Sequence, residues 1–434
     1  MERYDEYKDS GVDWIGEIPA GWDVRPIKYV ATCNDDVLPE YTDADFEFHY
    51  VDISSVTTGK ILRKEPCRFG SAPSRARRLV QTNDVIVSTV RTYLRATATI
   101  IAEDEDCVVS TGFAVLRPRK INNKYFFYYL LSEQFTSAVV ANSVGISYPA
   151  INSSELVRFP ALIPSKAEQR LIGLWLDKKT EAIDSLIADC EREVELLQEY
   201  RKAVISEAVT RGLDPNVPMK DSGIEWIGEI PEAWSVAQLG KICDTRNGLD
   251  YSSDDVCDEG SERATLVIRS GNVSAGKLLL DECVYVNKSV PASLLLKEGD
   301  VVVVRTNGSR ELVGKSAYID RDNIGTLGAF MLLCRSRFGM FINWLFQSSM
   351  LSYYMGAFST STVNQLSNKT LQALHVPLPP LSEQHAIVAC LDEKTAEIGA
   401  LIADYQSMAD KLREYRKSLI SEAVTGKFKV PGLA

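Results

Sequence analysis

Histidine is scarce in this chain, occurring only at positions 49, 375 and 385 of 434 residues. There is no HExxH pair and no Cys/His cluster, which argues against a resident metal ion. The nine cysteines are scattered and no two form a C-x-x-C. An odd, unpatterned set of this kind reads as reduced thiols, the state expected in a cytoplasm. No run approaches the roughly 20 apolar residues needed to span a bilayer, and the opening MERYDEYKDS has no apolar core of a secretory signal. A cytoplasmic location without a membrane partner is therefore expected. Catalytic signatures are absent as well: no G-x-G-x-x-G opens a helix after a strand, no G-x-S-x-G elbow appears, and no Asn-Pro-Pro-aromatic tetrapeptide occurs. The nearest approach runs from Gly308 to Gly314-Lys315-Ser316, but five residues separate its glycines where a phosphate-binding loop needs four. It also leads into the strand-like SAYI rather than a helix. The expectation is a non-catalytic chain with no cofactor of its own.

A net charge of −11 at first argues against a nucleic-acid partner. The charge is segregated, however. From Lys60 to Thr99 there are nine Lys/Arg against Glu65 and Asp84, beside acidic runs at Asp35–Glu47 and Glu103–Asp106. In the second half, Asp250–Glu262 is acid-rich, while Arg305, Arg310, Lys315, Arg321, Arg335 and Arg337 outnumber Glu311, Asp320 and Asp322. A basic centre with acidic flanks thus occurs twice.

What the chain does have is a repeat, the first thing to seek in a sequence of this length. Lys8–Val24 and Lys220–Val236 are identical at 12 of 17 positions, and Leu176–Thr210 and Leu391–Thr425 at 20 of 35, both ending in ISEAVT. The offsets are 212 and 215 residues, so the whole first half recurs with its spacing preserved. About 130 residues per half between these blocks match only weakly. One frame therefore carries two different inserts.

A proline-rich hinge follows each insert, at Phe159–Ser165 and Val376–Ser382, and permits a helix to start. Ser165-x-x-Glu168 has capping-box spacing, which the second copy does not keep. Beyond it, Ile183, Ile187, Cys190, Val194, Leu197, Arg201, Val204 and Ala208 step at alternating intervals of four and three. The same steps recur at Ile398, Ile402, Tyr405, Ala409, Leu412, Arg416, Leu419 and Ala423. This is a heptad seam, interrupted by an arginine at the same place in both copies. The two helices are expected to pair with each other, antiparallel about a pseudo-two-fold axis, with the inserts at opposite ends. About 26 residues of seam would span about 39 Å, near one turn of B-DNA at about 34–36 Å. The tail GKFKVPGLA and the opening KDSG segment would meet, making the molecule pseudo-circular.

The inserts read as α+β domains, with strands around NDVIVSTV and GDVVVVRT and then an aromatic-rich helix from Lys124 and from Met340. Those aromatics are assigned to the core. Polar segments are the better candidates for reading DNA: Arg75, Arg77, Arg78, Arg91, Thr92, Tyr93, Arg95, Ser147 and Tyr148 in the first insert. In the second they are Arg305, Thr306, Asn307, Ser309, Arg310, Thr362, Asn364 and Gln365. Arginine donates twice to guanine, Asn and Gln pair with adenine, and Ser/Thr suit phosphates.

Two W-I-G-E-I-P-x-x-W segments and two P-x-x-x-E-Q…E-Y-R-K…I-S-E-A-V-T helices make the chain resemble the specificity subunit of a type I restriction–modification system, over essentially its full length. The resemblance implies residues 1–160 as N-terminal segment and first target recognition domain, 161–212 as first helical spacer, 213–375 as linker and second recognition domain, and 376–434 as second spacer and tail. It implies double-stranded DNA as ligand, two methylase subunits and motor-nuclease subunits as partners, and S-adenosylmethionine, ATP and Mg on those partners. It also implies that Trp14, Trp226 and the Glu-Tyr-Arg-Lys helices belong to the frame and its methylase contacts. Two other classes stay open: the recognition subunit of a related type IIB/IIG-like system, and a protein-only coiled-coil adaptor. A stand-alone nuclease or methylase is disfavoured by the missing motifs.

Overall fold

An aspartate followed by an apolar run opens the same strand in both repeats. In the computed structural model, which describes residues 2–309, 312–357 and 365–432, Val85–Ser88 and Asp300–Val304 are buried along their whole length. Valine and isoleucine without polar alternation fit a strand covered on both faces. Each of these strands is the inner member of a sheet in its own compact unit. The first unit comprises Met1–Glu191 with Ser407–Ala434, and the second comprises Arg192–Gln406.

In unit 1, an antiparallel sheet runs in the order Thr97–Thr99, Val85–Ser88, Phe113–Pro118, Ala31–Cys33. A second sheet runs Glu65–Arg68, Glu47–Val51, Cys107–Ser110, Ala76–Leu79, and its one parallel pairing joins Cys107–Ser110 to Glu47–Val51. Helices Asn123–Leu131 and Glu133–Ala141 place Tyr125, Phe126, Tyr129 and Phe135 fully inside. The aromatics are core, as their helical spacing indicated.

Unit 2 repeats the first sheet as Asp244–Asn247, Met331–Arg335, Asp300–Val304, Ser316–Tyr318. Its second sheet repeats three strands, Val284–Val286, Thr265–Ile268 and Thr326–Leu327, including the parallel step. The fourth strand, Val256–Cys257, pairs with Val284–Val286 and so joins the edge opposite to that used by Ala76–Leu79 in unit 1. The two inserts share a core and part company at a sheet edge.

The strand pairing and the indole contact of the frame recur in both copies. Asp23–Pro26 pairs with Pro160–Ile163, and Ser235–Gln238 pairs with His375–Leu378. The Trp22 indole donates to Glu168 at 3.2 Å, and the Trp234 indole donates to Glu383 at 2.8 Å. Glu168 also closes the capping box, its backbone N–H meeting Ser165 Oγ at 3.3 Å while its carboxylate accepts from Ser165 N at 2.9 Å. In the second copy the Glu383 N–H instead reaches the Pro380 carbonyl at 3.0 Å.

The helices that begin there are Lys166–Arg211 and Leu381–Val424. Ile183, Ile398 and Leu419 are buried; Ile187, Val194, Leu197, Val204, Ile402 and Leu412 are half-buried. In unit 1, Asp184 pairs with Arg416 (2.8 Å) and Glu191 with Arg413 (2.5 Å), so one helix rises as its partner descends: they are antiparallel. Ile172, Leu176 and Ile183 share the unit 1 core with Leu419, Ile420 and Ala423. Ile205, Ala208 and Val209 share the unit 2 core with Ile387, Val388 and Leu391. The boundary between the units therefore falls inside both helices. The reason is that each half-helix is held by a different core.

The tail closes unit 1. Lys429 N donates to the Glu2 carbonyl at 2.8 Å, and Tyr7 Oη to the carbonyls of Gly426 and Lys427 at 3.1 and 3.2 Å. Phe428 and Val430 are buried, Phe428 edge-on to Trp175. Among the described residues no helix is long and apolar enough to cross a membrane.

Candidate nucleic-acid interface

In unit 1 the chain leaves Val85–Ser88 through Thr89 and Val90 and enters a tight turn, Thr92–Leu94. Arg91 and Arg95 flank the turn in the left-handed region, at φ 53° and 51°. That conformation is uncommon for a side chain of this size, and such strain collects at functional sites. A second segment is laced to the first. Val90 bridges Ala150, Arg91 N donates to the Pro149 carbonyl (2.8 Å), and Ile151 N donates to the Thr89 carbonyl (2.9 Å). The Arg91 guanidinium lies 4.7 Å from the centre of the Tyr148 ring, a cation–π contact that orients both. Arg75 belongs to the same edge through the backbone: its carbonyl accepts from Thr111 N, and the neighbouring Gly112 carbonyl accepts from Thr89 N, each at 2.8 Å. Arg91, Tyr93, Ser147, Tyr148 and Arg75 thus gather along one rim.

The basic centre is smaller than the sequence indicated. Arg63, Lys64, Arg68 and Arg95 are ion-paired with Glu65, Asp104, Glu47 and Glu133. Arg75, Arg77, Arg78 and Arg91 carry no ion pair among the described residues. The Glu133 carboxylate takes both terminal nitrogens of Arg95, at 2.5 and 2.7 Å, and that pairing holds the Glu133 carboxyl below its usual range. Thr92 is buried, and its hydroxyl donates to Ser143 Oγ at 2.8 Å. Arg77 and Arg78 are adjacent on the strand Ala76–Leu79 and so point to opposite faces. Arg77 stacks on the Phe69 ring at 4.8 Å, while Arg78 is turned toward the Cys33 side with its Nε buried and unpartnered.

Unit 2 builds the corresponding rim with other residues. Thr306 bridges Gln365 as Val90 bridges Ala150, and Leu366 N donates to the Arg305 carbonyl (2.8 Å) as Ile151 N does to Thr89. With its carboxamide turned so that the oxygen faces Arg305, Gln365 accepts from Arg305 Nε at 3.1 Å and Nη2 at 2.6 Å. Asn307 donates to Ser270 Oγ at 3.2 Å and accepts from Ser309 N at 3.0 Å. Arg310, Thr362 and Asn364 lie outside the described residues.

Sequence reasoning missed a buried aspartate–arginine pair that opens the inner strand in both units. Asp84 accepts from Arg117 Nε and Nη2, both at 2.8 Å; Asp300 accepts from Arg335 Nε (2.8 Å) and Nη2 (2.7 Å). Arg335 is therefore withdrawn from the second basic cluster. The similar spacings of Asp84 to Arg117 and of Asp300 to Arg335, 33 and 35 residues, were the available signal.

Two compact units with equivalent basic rims on a duplicated helical frame define a class, a paired DNA-reading chain. The comparisons with known proteins agree. The family model described as type I restriction modification DNA specificity domain matches residues 71–196 and 231–402, and the chain belongs to that family. It is a DNA sequence-recognition subunit of the type I restriction–modification class. The type I restriction enzyme EcoKI specificity subunit of Escherichia coli is 25% identical over 46% of this chain and 44% of its own length. The putative MjaX specificity subunit of Methanocaldococcus jannaschii is 23% identical over 96% of both chains. A solved chain from a type I R-M system superposes with a TM-score of 0.74 at 21% identity, covering 94% of this chain and 99% of that one. The HsdS subunit from Thermoanaerobacter tengcongensis superposes at 0.51, also at 21%, covering 94% and 98%. The two superpositions speak for the fold.

Proposed function

We propose that each unit reads one half of a bipartite, asymmetric DNA site and that the long helices fix the unread spacer and carry the partner subunits. One observation supports this most directly. The backbone bonds that position the rim are the same in both units (Ile151 to Thr89, Leu366 to Arg305), whereas the side chains on it differ. A duplicated backbone with unlike side chains suits two unlike half-sites. Sequencing the methylated positions of the host genome, with the gene and after its deletion, tests the reading. Adenine methylation at one split motif should vanish with the gene; an unchanged methylation pattern would exclude it.

The partners of this reading are two methylase subunits, which bring S-adenosylmethionine, and motor-nuclease subunits, which bring ATP and Mg. Two like partners need two like surfaces. Leu186 and Leu401 are repeat equivalents on the long helices, as are Tyr200 and Tyr415, and all four are about half exposed at 52, 48, 58 and 50%. Exposed apolar residues duplicated at one offset favour docking over chance. Leu186→Glu with Leu401→Glu should abolish co-purification of the methylase while leaving thermal unfolding unchanged. A co-purifying chain that carried methylase and nuclease together would assign the related type IIB/IIG-like system instead.

A further inference from the structure

The rim of unit 1 ends in an apolar point. Val144 N donates to the Ala150 carbonyl (2.8 Å) and Ala150 N to the Val144 carbonyl (3.0 Å), which closes a short projecting loop. Its tip is held rather than slack. Gly145 takes φ 117°, a value that glycine adopts freely, and Tyr148 is pinned by Arg91. Ile146 at this tip is fully exposed (101%) and Val144 is 81% exposed. Tyr93 and Leu94, on the turn laced to this loop, are also exposed. Burial would normally claim an isoleucine; a preformed loop that presents one to water points to a ligand with a complementary apolar feature. Arg91, without an ion pair among the described residues, flanks the loop and makes that ligand an anionic one. In a DNA duplex the feature that meets both demands is the thymine 5-methyl group, which lines the major groove beside the hydrogen-bonding edges of the bases.

We propose that Ile146 is a specificity-determining residue of unit 1 and reads the 5-methyl group of a thymine in the major groove. The Arg91 guanidinium lies over the Tyr148 ring, 4.7 Å from its centre, and keeps N–H groups to donate to a neighbouring base or phosphate. The inference rests on the DNA-reading function proposed above and goes beyond it, since it names the residue, the chemical group and the groove.

The test uses the full chain with its methylase partners and the target obtained from the host's methylation pattern. Binding is measured on that duplex, on an unrelated duplex, and on duplexes in which deoxyuridine replaces thymine in one half-site at a time. Uracil removes only the methyl group. Loss of its burial should weaken binding about fourfold for one half-site. Ile146→Ala should bind the natural target about as weakly as the native protein binds the uracil duplex. It should show no further loss on uracil and keep the native salt dependence. Arg91→Ala should retain the sensitivity to uracil. Because Ile146 makes no core contact, an unchanged thermal unfolding midpoint is expected and excludes a folding defect. A half-site without thymine, or equal uracil sensitivity of native and Ile146→Ala proteins, overturns the proposal. So does weaker binding of the variant with no uracil effect in the native protein, which would instead mark Ile146 as a wedge between base pairs. Failure to distinguish the target from the unrelated duplex would count against the DNA-reading function itself.

Discussion

Asp84 and Asp300 are each 1% exposed, and each accepts two hydrogen bonds from one arginine. Removing the cation would strand a carboxylate where water cannot reach it, and that is the costly way to break a buried pair. Arg117→Met and Arg335→Met should each destabilise by roughly 3–5 kcal/mol, measured by denaturant unfolding; a loss under about 1 kcal/mol would mean water enters the site. Arg117 also reaches Asp36 at 2.7 Å, whereas Arg335 meets the carbonyl of Leu295 at 2.9 Å.

Arg95 and Glu133 are a partly exposed contrast, with an effect that depends on pH. The folded protein holds the Glu133 carboxyl below its ordinary value of 4.5, chiefly through the Arg95 hydrogen bonds. A depressed carboxylate contributes stability above its unfolded-state pKa and loses it as the pH falls through the folded-state value. Glu133→Gln should therefore be less stable than the native chain at pH 7 and converge on it as the pH falls below the ordinary carboxylate value and through the depressed one, as read from unfolding midpoints across that range. Partial exposure limits the difference to about 1 kcal/mol or less. A gap that persisted at low pH would rule out the ion pair as its cause.

At the level of elements, the heptad seam, the buried valine strands and the aromatic helices were legible because each is a local pattern with its own period. The edge strands were not. Whether Ala76–Leu79 or Val256–Cys257 completes the second sheet depends on pairing across the chain, and a sequence window does not contain that pairing. The same limit explains the candidate site. Arg91, Tyr93 and Tyr148 were found by residue type, but the carboxylate that captures Arg95 lies 38 residues away and the hydroxyl that engages Thr92 lies 51 away.

The seam arginine shows what the repeat adds. Arg416 meets Asp184, while among the described residues its equivalent Arg201 meets only neutral groups, Gln347 Oε1 at 3.1 Å and the Ala275 carbonyl at 3.5 Å, and burial lowers its pKa. The 215-residue offset maps Asp184 onto Gly399, so the missing acid is explained. A Cβ at Gly399 would meet open space. Gly399→Ala should stabilise by about 1 kcal/mol through helix propensity alone. Gly399→Asp should exceed its isostere Gly399→Asn, and the difference should disappear in an Arg201→Gln background. Equal stability of Asp and Asn in the native background would mean that the repeat does not carry the ion-pair geometry across.

On the scale of the whole molecule, unit 1 is discontinuous: Met1–Glu191 is completed by Ser407–Ala434. Ile172, Leu176 and Ile183 are covered by Leu419, Ile420, Ala423 and Val424 from the second long helix. A fragment of residues 1–217 would leave that apolar surface bare. Yet it carries a substitute, because Ile205, Ala208 and Val209 are identical to Ile420, Ala423 and Val424 at the repeat offset. Within one fragment the substitute lies further along the same continuous helix, Lys166–Arg211, and cannot fold back onto it. A second copy can supply it, and by the antiparallel pairing each copy would cover the other through a two-fold axis, an isologous contact. The fragment should therefore be a homodimer in sedimentation analysis, with a cooperative unfolding transition that moves to higher temperature as concentration rises. It would also present two copies of the Arg91–Tyr148 rim, so its DNA target should become a palindrome of the unit 1 half-site. Ile205→Asp should dissociate the dimer and unfold it, since the monomer has no other cover for its helix. A folded monomer would mean that the pairing of the two long helices is not what completes the core of unit 1.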